Sequence, residues 1–139
     1  MARVRRFRPT LVATVFAILL MAGCGGDSES DAGSDTEAVA NVMASLNEAS
    51  RAGDGDRICT HLFTPKLASS VSSSSKTGDC EQEVKSNLFS PETRISVENI
   101  SVPDDSSAVA TVKEANGNTS RVFLVKSDGE WRIRSVVPA

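Results

Sequence analysis

Few residues of this 139-residue chain could carry reaction chemistry, since it contains three Cys, no Tyr and one His. A thiol nucleophile needs a base beside it, but His61 lies two residues from Cys59, so the two side chains would point to different faces of a helix. One His also supplies too few ligands for a metal centre. No G-x-S-x-G elbow and no glycine-rich phosphate loop occurs. We therefore predict no catalytic residue, no metal site and no cofactor.

Charge is distributed unevenly along the chain. Residues 1–23 carry four Arg and no acid, and the remaining 116 residues carry 11 basic and 18 acidic side chains, a formal charge of −7. Binding to nucleic acid needs clustered Lys and Arg, so we predict no nucleic-acid partner. The length allows one domain, and a composition with 40% hydrophobic and 24% charged residues is typical of a globular one.

The first 23 residues have the pattern of a bacterial lipoprotein signal. The four Arg precede an apolar run over residues 11–22, which as a helix would be about 18 Å long and too short for a bilayer core of about 30 Å. Leu20-Met21-Ala22-Gly23-Cys24 then resembles the bacterial lipobox, with Met21 where Leu is commoner. The alternatives are a plain signal peptide or an uncleaved anchor with an incidental Cys.

The lipobox resemblance implies that Cys24 becomes the first residue of the mature chain and carries a diacylglyceryl group and a further acyl chain such as palmitate. Two or more acyl chains hold a protein stably on a membrane. We therefore expect anchoring to the extracytoplasmic face of the cell membrane. Residues 24–35 are acidic and lack large apolar side chains, so they predict a flexible tether, followed by a folded domain over residues 36–139.

If Cys24 carries lipid, the two remaining cysteines are Cys59 and Cys80, and an even number of cysteines in an oxidising compartment favours pairing. We predict that these two form a disulfide, and a closed loop of about 20 residues would contribute roughly 3 kcal/mol of stability. The alternative is a pair of buried free thiols.

Helical signals fill the first half of the predicted domain. Ser34 with Glu37 forms a capping box, and the apolar residues after it recur at helical spacing until Gly53. Further helix starts are expected at Asp54 or Asp56, at Pro65 and at Asp79. Residues 69–75 are Ser at every position except Val71 and predict a loop.

From Thr93 the apolar period changes to two, which indicates strands. A change of parity between Val97 and Ile100 predicts a β-bulge near residues 98–99, and Asn116-Gly117 is a strong hairpin signal. Residues 121–126 are apolar on both faces, as expected of a central strand. Helices followed by strands indicate an α+β domain.

The expected domain has two or three N-terminal helices packed on a curled antiparallel four-stranded meander, and its last strand includes Asp-Gly-Glu-Trp-Arg-Ile at residues 128–133. This arrangement resembles the nuclear transport factor 2-like superfamily. More narrowly, the chain is similar to small secreted bacterial lipoproteins with that cone-shaped fold. The resemblance covers residues 36–137 and also rests on Gly53-Asp54 and on the Cys59 and Cys80 pair. The alternative is another α+β domain with a four-stranded meander.

The resemblance implies a hydrophobic hollow inside the cone. Its candidate lining residues, each of which could equally be ordinary core, are Val42, Leu46, Phe123, Trp131 and Ile133. Ketosteroid-isomerase-type relatives use a Tyr that this chain lacks, and dehydratase-type relatives combine His and Asp with Tyr. We therefore expect a non-catalytic domain that binds a small apolar ligand. The alternatives are a protein-interaction module of the cell envelope and, third, a cavity isomerase or hydrolase. Arg132 and Arg134 would either grip an anionic ligand or form the solvent face of the last strand.

Overall fold

The computed structural model describes residues 29–139. The predicted export signal, the predicted lipidation site at Cys24 and the first part of the predicted tether lie outside the described residues. Among the residues it does describe, no helix is both long enough and apolar enough to span a bilayer.

The first helix, α1, spans Glu29–Ala52 and is the longest element of the described chain. It starts before the predicted capping box, so the prediction of a helix start at Ser34 is wrong, and residues 29–35 are helical where a flexible tether was expected. A tertiary contact holds this part of the helix, because the carboxylate of Asp35 accepts hydrogen bonds from Lys126 and Trp131 on the sheet. The predicted end is confirmed at Gly53, whose φ of +67° suits a residue without a side chain.

The remaining helices are short. The bounds are α2 at Gly55–Arg57, which continues as a π-helical turn at Ile58–Leu62, α3 at Pro65–Ser74, and α4 at Cys80–Glu83, which continues as a second π-helical turn at Val84–Leu88. The predicted caps are confirmed, since the side chains of Asp54 and Asp79 accept backbone N–H groups at the starts of α2 and α4. Thr64 caps α3 in the same way, ahead of Pro65.

The predicted serine-rich loop is instead the second half of α3. The hydroxyls of Ser70, Ser73 and Ser74 each donate to the carbonyl oxygen four residues earlier, at 2.8 to 2.9 Å. Hydroxyls bonded in this way do not compete with the helix for its N–H groups, and burial of Val71 attaches this half of the helix to the core. Tertiary packing therefore overrides the loop composition.

Four strands form one antiparallel meander in the order β1-β2-β3-β4. Their bounds are β1 at Ile95–Asp104, β2 at Ser107–Glu114, β3 at Thr119–Ser127 and β4 at Glu130–Pro138. The predicted bulge is confirmed by a register shift between Val97 and Asn99, and β3 is a central strand as expected. Two further shifts were not predicted from the sequence: one lies between Ser101 and Asp104 in β1, and the other leaves Arg134 without a partner in β3.

The helices cover one face of the curled sheet, and this confirms the predicted α+β class. The core residues of the sheet all lie on that face: Ala108, Ala110, Val112, Val122, Leu124, Trp131 and Ile133. From α1 they meet Val39, Met43, Leu46 and Ala49. The outer face carries the half-buried Val109, Phe123 and Val125.

Candidate ligand cavity

An open cavity of about 440 Å³ lies between α3, the π-helical turn after α4 and the sheet. Ten apolar residues line it: Phe63, Leu67, Val71, Leu88, Phe89, Ile95, Val112, Val122, Val136 and Pro138. Four polar residues complete the lining: Asn87, Thr93, Glu114 and Ser120. Leu88 and Val136, which are 44% and 39% exposed, are the large apolar lining residues most open to solvent, and they mark the mouth.

The sheet wall of the cavity follows from strand register. Val112 pairs with Ser120, and Ser120 pairs with Pro138, so these three form one row across β2, β3 and β4. Val122 and Val136 form the next row on the same face. Because side chains alternate between the two faces of a strand, each row presents its side chains to the helices.

The helical wall is fixed by α3 and by two aromatic rings. Leu67 and Val71 are four residues apart and therefore share one face of α3. Phe63 and Phe89 pack edge to face with ring centroids 6.2 Å apart. The hydroxyl of Ser50 lies 3.2 Å from the carbonyl oxygen of Phe89, so α1 holds the segment that carries this ring.

One end of the cavity is polar. The hydroxyl of Ser120, which is buried, donates to Oε1 of Glu114 at 3.1 Å. The side-chain amide of Asn116 donates to Oε2 of Glu114 at 3.1 Å. The carboxylate is thus oriented by donors on β3 and on the hairpin turn that joins β2 to β3.

A disulfide supports the helical wall. It joins Cys59 to Cys80 with their Cα atoms 6.3 Å apart, as the sequence predicted, and the loop that it closes contains all of α3. Beside it the backbones of α2 and α4 come close, because a Cβ built on Gly55 would lie 2.7 Å from the carbonyl oxygen of Glu81. The bond therefore anchors both ends of the segment that carries Leu67 and Val71.

None of the five residues predicted to line a hollow lines this cavity. Leu46 and Ile133 are completely buried in the core, and Phe123 lies on the outer face of the sheet. Val42 and Trp131 border a separate, shallower depression of about 400 Å³, together with His61. Apolar periodicity identified residues that face inwards, but it carries no information on where packing is incomplete.

Trp131 has a structural partner that the sequence did not indicate. Its indole Nε1 donates to Oδ1 of Asp35 at 3.1 Å, and Nζ of Lys126 lies 2.7 Å from the same oxygen. Nζ of Lys126 also lies 5.7 Å from the centroid of the Trp131 ring. The hydrogen bonds from Lys126 and, secondarily, from Trp131 hold the pKa of Asp35 below its ordinary value. This cluster fastens the N-terminal half of α1 to the sheet.

The other residues that sequence reasoning singled out are not brought together. His61 is exposed, and the carboxylate of Asp54 is engaged in capping α2. Arg132 donates to the carbonyl oxygen of Thr60 at 3.2 Å, while Arg134 is exposed at the register shift between β3 and β4. Within residues 29–139 no group of three or more His, Cys, Asp or Glu side chains is placed to hold a metal ion.

Comparisons with known proteins give one informative match. No protein-family model matches the sequence, and neither does any curated protein. Among solved structures, an NTF2-like protein of unknown function from Shewanella baltica matches with a TM-score of 0.52 and 19% sequence identity, over 77% of this chain and 94% of that one. At this identity the match concerns the fold and says nothing of activity. The helices, the open four-stranded meander and this neighbour together show that the chain has the nuclear transport factor 2-like fold.

Proposed function

We propose that this protein is a lipoprotein, anchored on the extracytoplasmic face of the cell membrane, whose domain binds a small apolar molecule in the cavity beside α3 and catalyses no reaction. The observation that supports ligand binding most strongly is the cavity itself. Ten of its fourteen lining residues are apolar, and two of these are exposed at its mouth. Concave, mostly apolar sites with a few polar groups are where proteins bind small molecules.

The volume of the cavity limits the size of the ligand. At about 30 Å³ for a group the size of a water molecule, a cavity of about 440 Å³ holds a molecule of roughly fifteen non-hydrogen atoms. Displacement of water from apolar walls favours binding by about 25 cal/mol for each Å² of apolar surface buried. A medium-length alkyl chain or a small ring system fits these limits.

The anchoring part of the proposal rests on the lipobox resemblance and on Cys24. Wild-type chain should sediment with the membranes of the producing cell, and Cys24→Ser should move it to the soluble fraction, because acyl chains on that thiol supply the attachment. Membrane attachment that survives Cys24→Ser would refute lipid anchoring.

Ligand binding can be tested with a neutral fluorescent probe, N-phenyl-1-naphthylamine, titrated into the full chain carrying Cys24→Ser so that no attached lipid competes. The probe has about seventeen non-hydrogen atoms, slightly more than the roughly fifteen that fill the cavity, and the open mouth leaves room for the excess. We expect saturable fluorescence enhancement. Val136→Trp should abolish most of it by filling the mouth, whereas Val137→Trp, one residue further and on the outer face, should not. Equal effects of the two substitutions, or no saturable binding by the wild type, would reject the proposal.

A second candidate function, an interaction module of the cell envelope, is favoured by the outer face of the sheet. Val109 pairs with Phe123 there, and Val125 lies two residues along β3, so three apolar side chains are adjacent and only half-buried. If this face binds protein, Phe123→Asp should abolish an association that sedimentation velocity detects in the wild type, while binding of the fluorescent probe is retained.

A further inference from the structure

We propose that Glu114 makes the cavity selective for neutral or cationic amphiphiles that carry a hydrogen-bond donor, and that it excludes anionic amphiphiles such as fatty acids. This inference rests on the ligand-binding function proposed above, and it specifies the chemical class of the ligand. The inference follows from Glu114 being the one charged residue among the described residues that line the cavity.

The carboxylate of Glu114 has acceptor capacity left for a ligand. An ionised carboxylate offers about four lone-pair sites and no donor. Ser120 occupies one site on Oε1, and Asn116 occupies one on Oε2. A hydroxyl or ammonium group of a ligand can therefore donate to either oxygen without displacing these protein partners.

The same arrangement disfavours an anionic ligand. None of the described lining residues is Lys, Arg or His, and over residues 29–139 Glu114 forms no ion pair within 4 Å. A fatty-acid carboxylate at the polar end would meet a like charge with no cation to compensate it. A like charge about 4 Å away should weaken binding by at least about tenfold at the effective dielectric of a protein surface.

Arg94 is a basic residue near the polar end of the cavity. It is exposed and borders a separate, smaller depression of about 190 Å³, which shares Thr93 and Glu114 with the cavity. Glu92, also exposed, borders the same depression but does not line the cavity. Glu92 therefore provides a control for the charge of Glu114, because neutralising it changes net charge equally and leaves the cavity wall intact.

The test uses three probes with the same alkyl chain: dodecylamine, 1-dodecanol and dodecanoate. Each has thirteen or fourteen non-hydrogen atoms, within the roughly fifteen that the cavity accommodates. Dissociation constants are measured at pH 7, below micelle formation, by displacement of N-phenyl-1-naphthylamine from the full chain carrying Cys24→Ser. We expect the amine and the alcohol to bind at least about tenfold more tightly than dodecanoate.

Substitution then assigns the selectivity to one carboxylate. Glu114→Gln keeps the side-chain shape and an acceptor oxygen but removes the charge, so dodecanoate should bind within about threefold of the alcohol. Glu92→Gln should leave the wild-type ratio unchanged. If Glu114→Gln fails to fold, the wild-type ratios of the three probes still decide the matter.

The possible failures are distinguishable. If dodecanoate binds the wild type as tightly as the other two probes, or if Glu114→Gln and Glu92→Gln change the ratio equally, the selectivity proposal is overturned while ligand binding stands. If no probe and no N-phenyl-1-naphthylamine binds, the proposed function itself fails, and the selectivity fails with it.

Discussion

The interface between helices and sheet is filled under α1 and hollow beside α3. Under α1, the side chains of Met43, Leu46, Leu124 and Ile133 are at most 1% exposed. Beside α3, the sheet row that contains Val122 and Val136 borders the open cavity. Both regions belong to one core and share the same strands, so the difference comes from the helices.

The composition of the two helices explains the contrast. Helix α1 offers Val39, Val42, Met43 and Leu46 within about two turns, whereas α3 offers Leu67, Ala68 and Val71 and is otherwise rich in Ser. Serine hydroxyls that bond back to their own helix supply little volume to a core. A helix of low apolar volume, fastened at both ends by a disulfide, is therefore a means of keeping a cavity open.

The contrast is tested most strongly by truncating one leucine in each region. Leu46→Ala removes a fully buried side chain from the filled region and should lower the free energy of unfolding by about 2–5 kcal/mol. Leu67→Ala in the cavity wall should cost only about 1 kcal/mol, because that side chain is half-buried and already borders empty space. Urea denaturation measures both, and equal losses would contradict the contrast.

Loss of the disulfide should have the next largest effect. Its cysteines are 21 residues apart, and replacing both by Ala should cost about 3 kcal/mol through the entropy of the unfolded chain. Since α3 lies inside the closed loop, the double variant should also bind N-phenyl-1-naphthylamine more weakly. Unchanged probe affinity at a temperature where the variant is folded would show that the disulfide does not support the cavity wall.

A substitution where α2 and α4 come close, next to the disulfide, should lower the free energy of unfolding by a smaller amount. Gly55→Ala places a Cβ against the backbone of Glu81 and should cost about 1–3 kcal/mol in thermal or urea unfolding. Gly33→Ala is the matched control, because it is within α1 and an added Cβ would meet nothing within 4 Å beyond the local backbone of its own helix. There Ala should stabilise by about 0.5–1 kcal/mol. A Gly55→Ala variant as stable as the wild type would show that the two backbones are free to separate.

The smallest expected effect is the pH dependence of the stability that Asp35 contributes near the start of α1. The hydrogen bonds from Lys126 and Trp131 hold the pKa of Asp35 below its ordinary value of 3.8. Its contribution to stability is therefore complete above about pH 4 and is lost as the pH falls through the lowered value. Asp35→Asn should be less stable than the wild type at pH 6, and the difference should narrow at pH 3. A difference that stays constant between those two pH values would contradict this role.

Asp104 also has a lowered pKa, so its contribution to stability must be the same in both proteins of that comparison. Hydrogen bonds from the Ser107 hydroxyl and then from the backbone and hydroxyl of Ser106 lower its pKa to about 2. Its stabilising effect is accordingly lost between about pH 4 and pH 2. Both Asp35→Asn and the wild type retain Asp104, so its contribution cancels in their difference.

Local signals in the sequence were enough to place most elements of the fold. The caps at Asp54 and Asp79, the stop at Gly53, the bulge near residues 98–99 and the central strand are decided by neighbouring residues, and the structure agrees with each. Contacts between distant parts of the chain accompany the two departures from prediction, at Asp35 with Lys126 near the start of α1 and at the buried Val71 in the serine-rich segment. These could not be predicted from local composition.

The candidate site was less predictable than the fold. The sequence identified apolar residues that face inwards, and three of these, Leu46, Trp131 and Ile133, are core. The cavity arises from a deficit of side-chain volume across several elements, which no single segment reveals. Glu114 was missed for a related reason: it ends a strand beside a hairpin turn, where an acidic residue is ordinary, and only the strand register places it next to Ser120.

A methyl and indole NMR titration with 1-dodecanol distinguishes ligand binding beside α3 from binding under α1. For binding beside α3 we expect saturable shifts of the methyl groups of Leu67, Val122 and Val136, with little change for Leu46 or for the indole N–H of Trp131. Shifts centred on Val42 and Trp131 or on the outer face at Phe123, or no saturable shift, would contradict it.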